Sequence, residues 1–523
     1  MALLTTSLDI RIPTTYKQAI KSIEKDQWIQ AMQAEINELE KQHTWNLVNL
    51  PPQREALKGR WVYTIKTDSS NTITKYKARY VVKGFNQTLG LDYIDTFSTT
   101  CRPETYRVIF ILALYYKWDI LQYDVKNAFV HANIDTEIYI EQPIGFTKGN
   151  TVCKLLKALY GLKQAPRLWY MHLSTILKRL GFNVFPYDEA TFIHHRLRII
   201  IISYVDDFIV TGPDTKAIKE VMKKVQESIK LQELGPIKDF LGMHITKDNQ
   251  SLSIDQIKYI NNMLQRFNKD KLNPVSTPTD LGVQVIKYDE KATQDDITLY
   301  QQQVGSLLYL STRTRPDIAY AVSRCSRYAS NPGPIHFSAL DRIWKYLIYS
   351  INYKLEYYPV NLDLLGYCDA DWGSDIATRR STTGYLFTLG KNIISWSSML
   401  QKTVALSSCE SEYMAMKDAT KEAIYLNNTI IYLKDILNIS TINIIPTILT
   451  DSNSAMKLAE NPEFHKKSKH IDIIYHFIRE AVAEKRVQII YIPTKEQIAD
   501  GLTKCLNNTK HKDYIAMLKL NIS

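Results

Sequence analysis

Two aspartates stand side by side, Asp206 and Asp207, inside the run Ile199-Ile-Ile-Ile-Ser-Tyr-Val-Asp-Asp-Phe-Ile-Val-Thr-Gly212. The apolar, β-branched residues on either side of a Val-Asp-Asp tip predict a tight hairpin with paired carboxylates at its turn. Adjacent anions repel and gain nothing from packing, so a cation is their natural compensation, and hard divalent ions such as Mg²⁺ prefer carboxylate oxygen. Taken alone the pair also reads as an ordinary solvated turn. Two further features favour metal chemistry. Upstream, Asp124 ends an apolar-biased strand that begins near Trp118, and the aromatic Phe129 follows five residues later. Downstream, acids recur at Asp369 and Asp371 on a predicted strand, Glu410 and Glu412 on a predicted helix, Asp451 at a strand end and Asp500 on the final helical segment. Any one of these, met singly, reads as a helix cap.

The elements that must position these acids follow from periodicity. From about Tyr16 to Leu50 the chain begins as a helix, with Trp28, Met32, Ile36 and Leu39 on one face. We read it as a packing helix with a solvated Glu/Lys face, ended by Pro51-Pro52. Arg60 to Lys66 and Lys75 to Gly84 predict two strands joined by the polar turn Asp68-Ser-Ser-Asn71. Basic and aromatic residues interleave there, as on a surface that meets phosphates and bases, although a charged hairpin in water has the same pattern. Lys157 to Tyr170 opens a helix running to about Gly181, its entry marked by Gly161 and Pro166. Past a faint composition shift near residue 360 come the acid-bearing strand from Leu364 and a helix capped by Ser407-Ser408. A strand from Thr447 ends at Asp451, and an amphipathic helix from Ile471 to Lys485 leads to a strand from Val487 to Ile492.

Composition sets outer bounds. A chain of 523 residues implies several domains with sizeable cores. The formal charge of +11 suits a polyanionic partner. Six scattered cysteines, without a Cys-x-x-Cys pair, fit neither a zinc site nor a disulfide framework and point to a reducing compartment. No apolar run approaches a membrane span, so a soluble intracellular protein is expected.

The strand with Asp124, the segment Leu-Tyr-Gly-Leu-Lys-Gln-Ala-Pro-Arg-Leu-Trp-Tyr ending at Tyr170, and Tyr-Val-Asp-Asp resemble the palm motifs of copia-type retrotransposon reverse transcriptases. The resemblance runs almost end to end. Phe240-Leu-Gly-Met243 is similar to the family's primer-grip hairpin, and Val304 through Arg313, Pro316-Asp317, His336 and Tyr346 to its connection region. It implies an α/β (α+β) right-hand polymerase with a ribonuclease H domain. The expected layout is a helical lead-in over 1–55, fingers and palm over 56–245, thumb over 246–290 and connection over 291–360. Ribonuclease H follows over 361–510, with a tail over 511–523.

What the resemblance implies for the sites is specific. Asp124, Asp206 and Asp207 would hold two Mg²⁺ ions, with Mn²⁺ as a substitute, for nucleotide addition. Asp369, Glu412, Asp451 and Asp500 would hold two more for cleavage of RNA. Glu412, which precedes Tyr-Met-Ala, is preferred to Glu410 on the family's pattern; Asp369 is preferred to Asp371 as closing its strand. Lys66 and Arg79 would clamp the triphosphate, Phe129 would floor the sugar, and Gly161 would let backbone approach the nucleotide. Lys77 and Lys83 are assigned to template phosphates, and Phe240 and Gly242 to the primer grip. This chain has Tyr160 where the retroviral pattern has Gln, so that contact is not transferred. His470 or His476 could assist product release, or be plain helix residues. The implied partners are an RNA template, a DNA or tRNA primer, RNA–DNA hybrid and dNTPs, without a membrane, in a cytoplasmic virus-like particle or the nucleus. A rival is a non-catalytic nucleic-acid-binding remnant of such an element. No Asp-Ser/Thr-Gly protease motif or integrase His/Cys set is found, so the chain reads as part of a longer polyprotein or as a truncated copy.

Overall fold

The computed structural model describes residues 12–67, 73–437, 445–460 and 469–522, so the expected turn at 68–71 lies outside the described residues. At its centre is a six-stranded antiparallel sheet. Its order is Leu231–Pro236, Asp119–Val125, Asp207–Gly212, Ile199–Tyr204, Thr191–His194 and Asn183–Val184. Alternate residues of a strand point to opposite faces. Here both faces are covered: Ile199, Ile201, Phe208 and Val210 enter one core, and Ile200, Ile202 and Ile209 the other. That is why four isoleucines run together without a polar break. The helices Pro103–Tyr115 and Ala165–Arg179 contribute to the two cores respectively.

The basic hairpin forms as predicted, from strands Gly59–Thr67 and Ile73–Val82. Helix Lys25–Lys41 packs on it, burying Trp28, Met32, Ile36 and Leu39. The expectation that its charged residues are all solvated is corrected, because Glu35 is buried on the same stripe. The lead-in then adds a strand, Trp45–Val48, to a three-stranded sheet with Val152–Leu155 and Tyr139–Ile140.

A third sheet joins Asp239–Phe240, Met243–Lys247, Leu252–Asp255, Tyr353–Tyr357 and Asn521–Ile522. It draws strands from four of the expected segments. The expectation of a simple tail over 511–523 is therefore corrected: the helix Asn508–Leu518 buries His511, Tyr514 and Leu518, and the chain then returns to pair with Tyr353–Lys354. The His511 ring sits edge-on to Tyr346, which donates to Asp317, itself ion-paired with the fully buried Arg315.

The last sheet has the order Asn392–Leu400, Thr382–Leu389, Leu364–Asp371, Thr447–Thr450 and Gln488–Tyr491, antiparallel across the first three and parallel across the rest. The 30-residue helix Ser408–Leu437 lies on it. This unit shares a continuous core with the polymerase-like part. The joint is made by Arg107, 1% exposed, which donates to the carbonyls of Ile394, Thr312 and Arg313 and stacks over Trp396. No helix among the described residues is long and apolar enough to cross a membrane.

Candidate active sites

In the central sheet Asp207 pairs directly with Asp124 across neighbouring strands. Val205 and Asp206 form the two-residue turn between strands ending at Tyr204 and starting at Asp207. Three carboxylates thus meet at one sheet end. Burial, then the charges of Asp206 and Asp124, push the Asp207 carboxyl up to about 6. Such mutual repulsion without full compensation is what a divalent cation relieves, so the donor set fits Mg²⁺ or Mn²⁺. Lys126 supplies one positive charge, its Nζ 2.5 Å from Asp124 Oδ2.

The turn itself is strained. Val205 has φ +57°, a left-handed conformation that a β-branched residue rarely adopts. It is held from below by Trp169, whose indole N–H donates to the Val205 carbonyl at 2.7 Å. The Leu-Trp-Tyr motif therefore acts as a support for the acid turn.

Facing the acids is the basic hairpin. Its register pairs Lys66 with Lys75, Thr64 with Lys77 and Val62 with Arg79, which sets Lys66, Lys77 and Arg79 on one face. This face groups Lys77 with Lys66 and Arg79. Lys77 lines an open cleft of about 680 Å³ together with Lys66, Lys75, Lys126, Asn127 and Lys230. Lys83 lies beyond the strand, at the start of the turn Gly84–Asn86.

The Arg79 guanidinium lies 4.5 Å over the Tyr160 ring, and Tyr160 packs edge-on against Phe129 with ring centroids 4.7 Å apart. Phe129 is thus linked through Tyr160 to Arg79, and sits on the short helix Ala128–His131 after Asp124. Tyr160, whose hydroxyl is buried without a partner, is a site residue that sequence reasoning left unassigned. At Gly161 a Cβ would lie 2.0 Å from the Val82 carbonyl oxygen, and φ is +92°, so the missing side chain makes room for the basic hairpin. Nearby, buried Gln164 accepts from Gln87 and donates to the Asp92 carbonyl, fixing the loop that follows the hairpin. Phe240 is corrected too: it is fully buried, edge-on to Tyr106, and offers no surface to nucleic acid. Gly242 is exposed at the hairpin turn, φ +68°, beside Leu241, whose carbonyl accepts from Tyr309.

The second acidic group also assembles. Carboxylate oxygens of Asp369, Asp451 and Asp500 lie within 4.8 Å of one another. Asp369 sits within its strand, which continues to Asp371, so the reason given for preferring it is corrected although its position in the cluster stands. Asp500 comes from a short 3₁₀ turn, Ile498–Leu502, and not from a final helix. Gln497 holds that turn to the strand by donating to the Cys368 carbonyl at 2.9 Å. Close packing against Gly384, the partner of Asp369, leaves no room there for a Cβ.

Glu412 faces this cluster, whereas Glu410 is spent accepting from the Leu406 N–H at 2.7 Å at the helix start. Burial, then Asp369 and Asp451, holds the Glu412 carboxyl well above the usual range, and its Oε2 is buried without a partner. Burial and Asp500 do the same to Asp369, which accepts from Thr503. Lys504, 2.8 Å from Asp500, is the nearby cation, and its role was not read from the sequence. An orphaned carboxylate oxygen among repelling acids fits divalent cations here as well. The side chain of His470 lies outside those described, and His476 is on helix Lys469–Ala483.

Comparison with known proteins agrees with this geometry. The family described as reverse transcriptase (RNA-dependent DNA polymerase) matches residues 42–281. A retrovirus-related Pol polyprotein from transposon TNT 1-94 of Nicotiana tabacum is 39% identical over 516 residues, covering 96% of this chain and 38% of the relative. A putative transposon Ty5-1 protein of Saccharomyces cerevisiae is 31% identical over 307 residues, 57% of this chain and 99% of the relative. A solved foamy viral protease-reverse transcriptase in complex with double-stranded DNA is similar at 14% identity with a TM-score of 0.49, over 89% of this chain and 69% of that one. The chain belongs to the copia-type retrotransposon reverse transcriptase–ribonuclease H family. It spans 38% of the length of the tobacco Pol polyprotein.

Proposed function

We propose that this chain is an RNA- and DNA-dependent DNA polymerase with a fused ribonuclease H, converting retrotransposon RNA to double-stranded DNA. The observation that carries the reading is the meeting of Asp124, Asp206 and Asp207 at one sheet end, opposite the Lys66, Lys77 and Arg79 face. When bound, Mg²⁺ or Mn²⁺ supplies activation of the attacking oxygen and neutralisation of the leaving one at each acid cluster. Asp124 and Asp206 hold that charge with Asp207 in support, and Lys66, Lys77 and Arg79 bind and orient the dNTP triphosphate. Phe129 floors the sugar. At the second site Asp369, Glu412, Asp451 and Asp500 would hold the ions that serve cleavage of the RNA strand of a hybrid, told from DNA by its 2′-hydroxyl. Gly242 and Lys83 are assigned to gripping the template–primer. The primer is DNA or a tRNA, and the setting is a cytoplasmic virus-like particle or the nucleus.

The test is a pair of variants assayed on poly(rA)·oligo(dT) and on an RNA–DNA hybrid with Mg²⁺. Asp206→Asn abolishes extension and spares cleavage; Asp451→Asn does the reverse. A folded wild-type protein inert in both assays would establish the remnant reading instead.

A further inference from the structure

Among the charged residues of the cleft beside the polymerase acids that have no part in the chemistry above, one is buried. Glu35 comes from the first long helix, 7% exposed, on the stripe otherwise formed by Trp28, Met32, Ile36 and Leu39. A carboxylate on an apolar face is expensive to bury without a compensating partner. Its surroundings supply several: Arg79 first, then the Tyr80 backbone N–H and Lys77. The helix packs on strand Ile73–Val82, and Glu35 and Lys77 line the same cleft from these two elements.

We propose that Glu35 is a positioning residue for nucleotide addition: it is the counter-anion that keeps Lys77 charged and directed into the cleft, where Lys77 meets the triphosphate. The inference rests on the polymerase reading above. It makes the N-terminal helix part of the nucleotide site.

The charges around Lys77 explain why a counter-anion is needed. Arg79 and Lys66 share its strand face, and both oppose its charge. Lys75, Lys126 and Lys230 add to the positive lining, with Lys126 taken up by Asp124 and Lys230 by Glu38 at 2.9 Å. Glu35 and then Asp124 act on Lys77 in the opposite sense. Asp124 is committed to the acid cluster, which leaves Glu35. Burial, then Arg79 and Lys66, bring the Lys77 ammonium down to about 8, so it sits where loss of one anion decides whether it is charged under working conditions. Glu35 itself is pushed up by burial and drawn back by Arg79, the Tyr80 backbone N–H and Lys77.

The experiment compares Glu35→Gln, Lys77→Arg and the double variant in single-nucleotide extension with dTTP. Runs at about pH 6.5 and about pH 8.5 bracket the Lys77 ammonium. The expected result is that Glu35→Gln raises KM for dTTP by about tenfold at the higher pH, with kcat nearly unchanged and little effect at the lower pH. In the Lys77→Arg background the same substitution has no further effect, because a guanidinium stays charged without its partner. An unchanged KM at both pH values overturns the proposal. So does an equal rise in both backgrounds, which is what a role in packing alone predicts. Calorimetric titration with dTTP gives the comparison without turnover. A chain whose dTTP affinity falls on Glu35→Gln yet which never extends a primer contradicts the polymerase reading and not this one. Equal dTTP affinities in wild type and Glu35→Gln contradict this one alone.

Discussion

Replacing Val205 should invert a familiar order of stabilities. In most settings a glycine is less stable than alanine by roughly 0.5–1 kcal/mol, because it loses more backbone freedom on folding. Val205, however, sits at φ +57° in the acid turn. A left-handed conformation costs an L-residue about 1–2 kcal/mol, and glycine almost nothing. Val205→Ala and Val205→Gly both remove the half-buried valine side chain, so lost packing is common to the pair and cancels in their difference. The net is about 0.5–1 kcal/mol in favour of glycine. Urea unfolding of the two variants measures it as a difference in midpoint at constant slope. The more stable variant should also be the slower polymerase: a freer turn lets Asp206 wander, and a misplacement of about 1 Å can lower a rate about a hundredfold. If Val205→Ala proves as stable as Val205→Gly or more so, the turn holds no strain and the reasoning fails.

Other outcomes follow from the same structure. Phe129→Val should keep dGTP incorporation measurable and raise rGTP incorporation relative to dGTP by about tenfold or more, since it removes the bulk that excludes a 2′-hydroxyl; single-nucleotide extension with matched dGTP and rGTP decides, and unaltered discrimination in a well-folded variant refutes it. Glu422, which accepts from Ser395 at 2.6 Å, is pushed up to about 7, first by burial. Its folded value exceeds its unfolded one, so its contribution to stability is whole below about pH 4.5 and lost as pH rises through about 7. Glu422→Gln should therefore match wild type in urea at about pH 4.5 and exceed it by up to about 3 kcal/mol at about pH 9, and an equal difference at both values would count against that account. Lys83→Ala should reduce the salt dependence of template–primer binding by about one unit of log–log slope without changing sequence preference, and an unchanged slope would remove Lys83 from the phosphate contacts.

What was legible in the sequence was chemistry tied to short spacing. Asp124, Asp206 and Asp207 could be assigned because a hairpin tip and a strand end constrain where carboxylates point. Glu412 was separated from Glu410 by the pattern beyond it, and the cap bond of Glu410 shows the physical reason. Two further placements were within reach of the spacing. Lys77 and Arg79 differ by two positions in a strand and had to share a face. Glu35 falls seven residues after Trp28 and four before Leu39, on the stripe already identified as buried. Others were beyond reach, because they depend on contacts distant along the chain. Nothing local says that Gly161 is pressed against Val82, that Phe240 meets Tyr106, or that residues 521–522 return to residue 353.

The buried guanidinium of Arg107 bears on how such a chain can evolve. It belongs to the polymerase half, yet one donor ends on Ile394 and its flat face on Trp396, both in the other half. Trp396 in turn donates to the Ser311 carbonyl at 2.7 Å, and Tyr425 approaches Thr105 and the Arg102 guanidinium. A ribonuclease H half taken from a distant relative and joined near residue 360 would leave the Thr312 and Arg313 carbonyls in place but change the packing that sets the Ile394 carbonyl and the Trp396 ring against that arginine. A buried charge that loses part of its pairing is costly. Recombination between divergent elements should therefore leave few viable crossovers at the apparent domain border. Exchange would succeed where helix Pro103–Tyr115 travels with the sheet it grips.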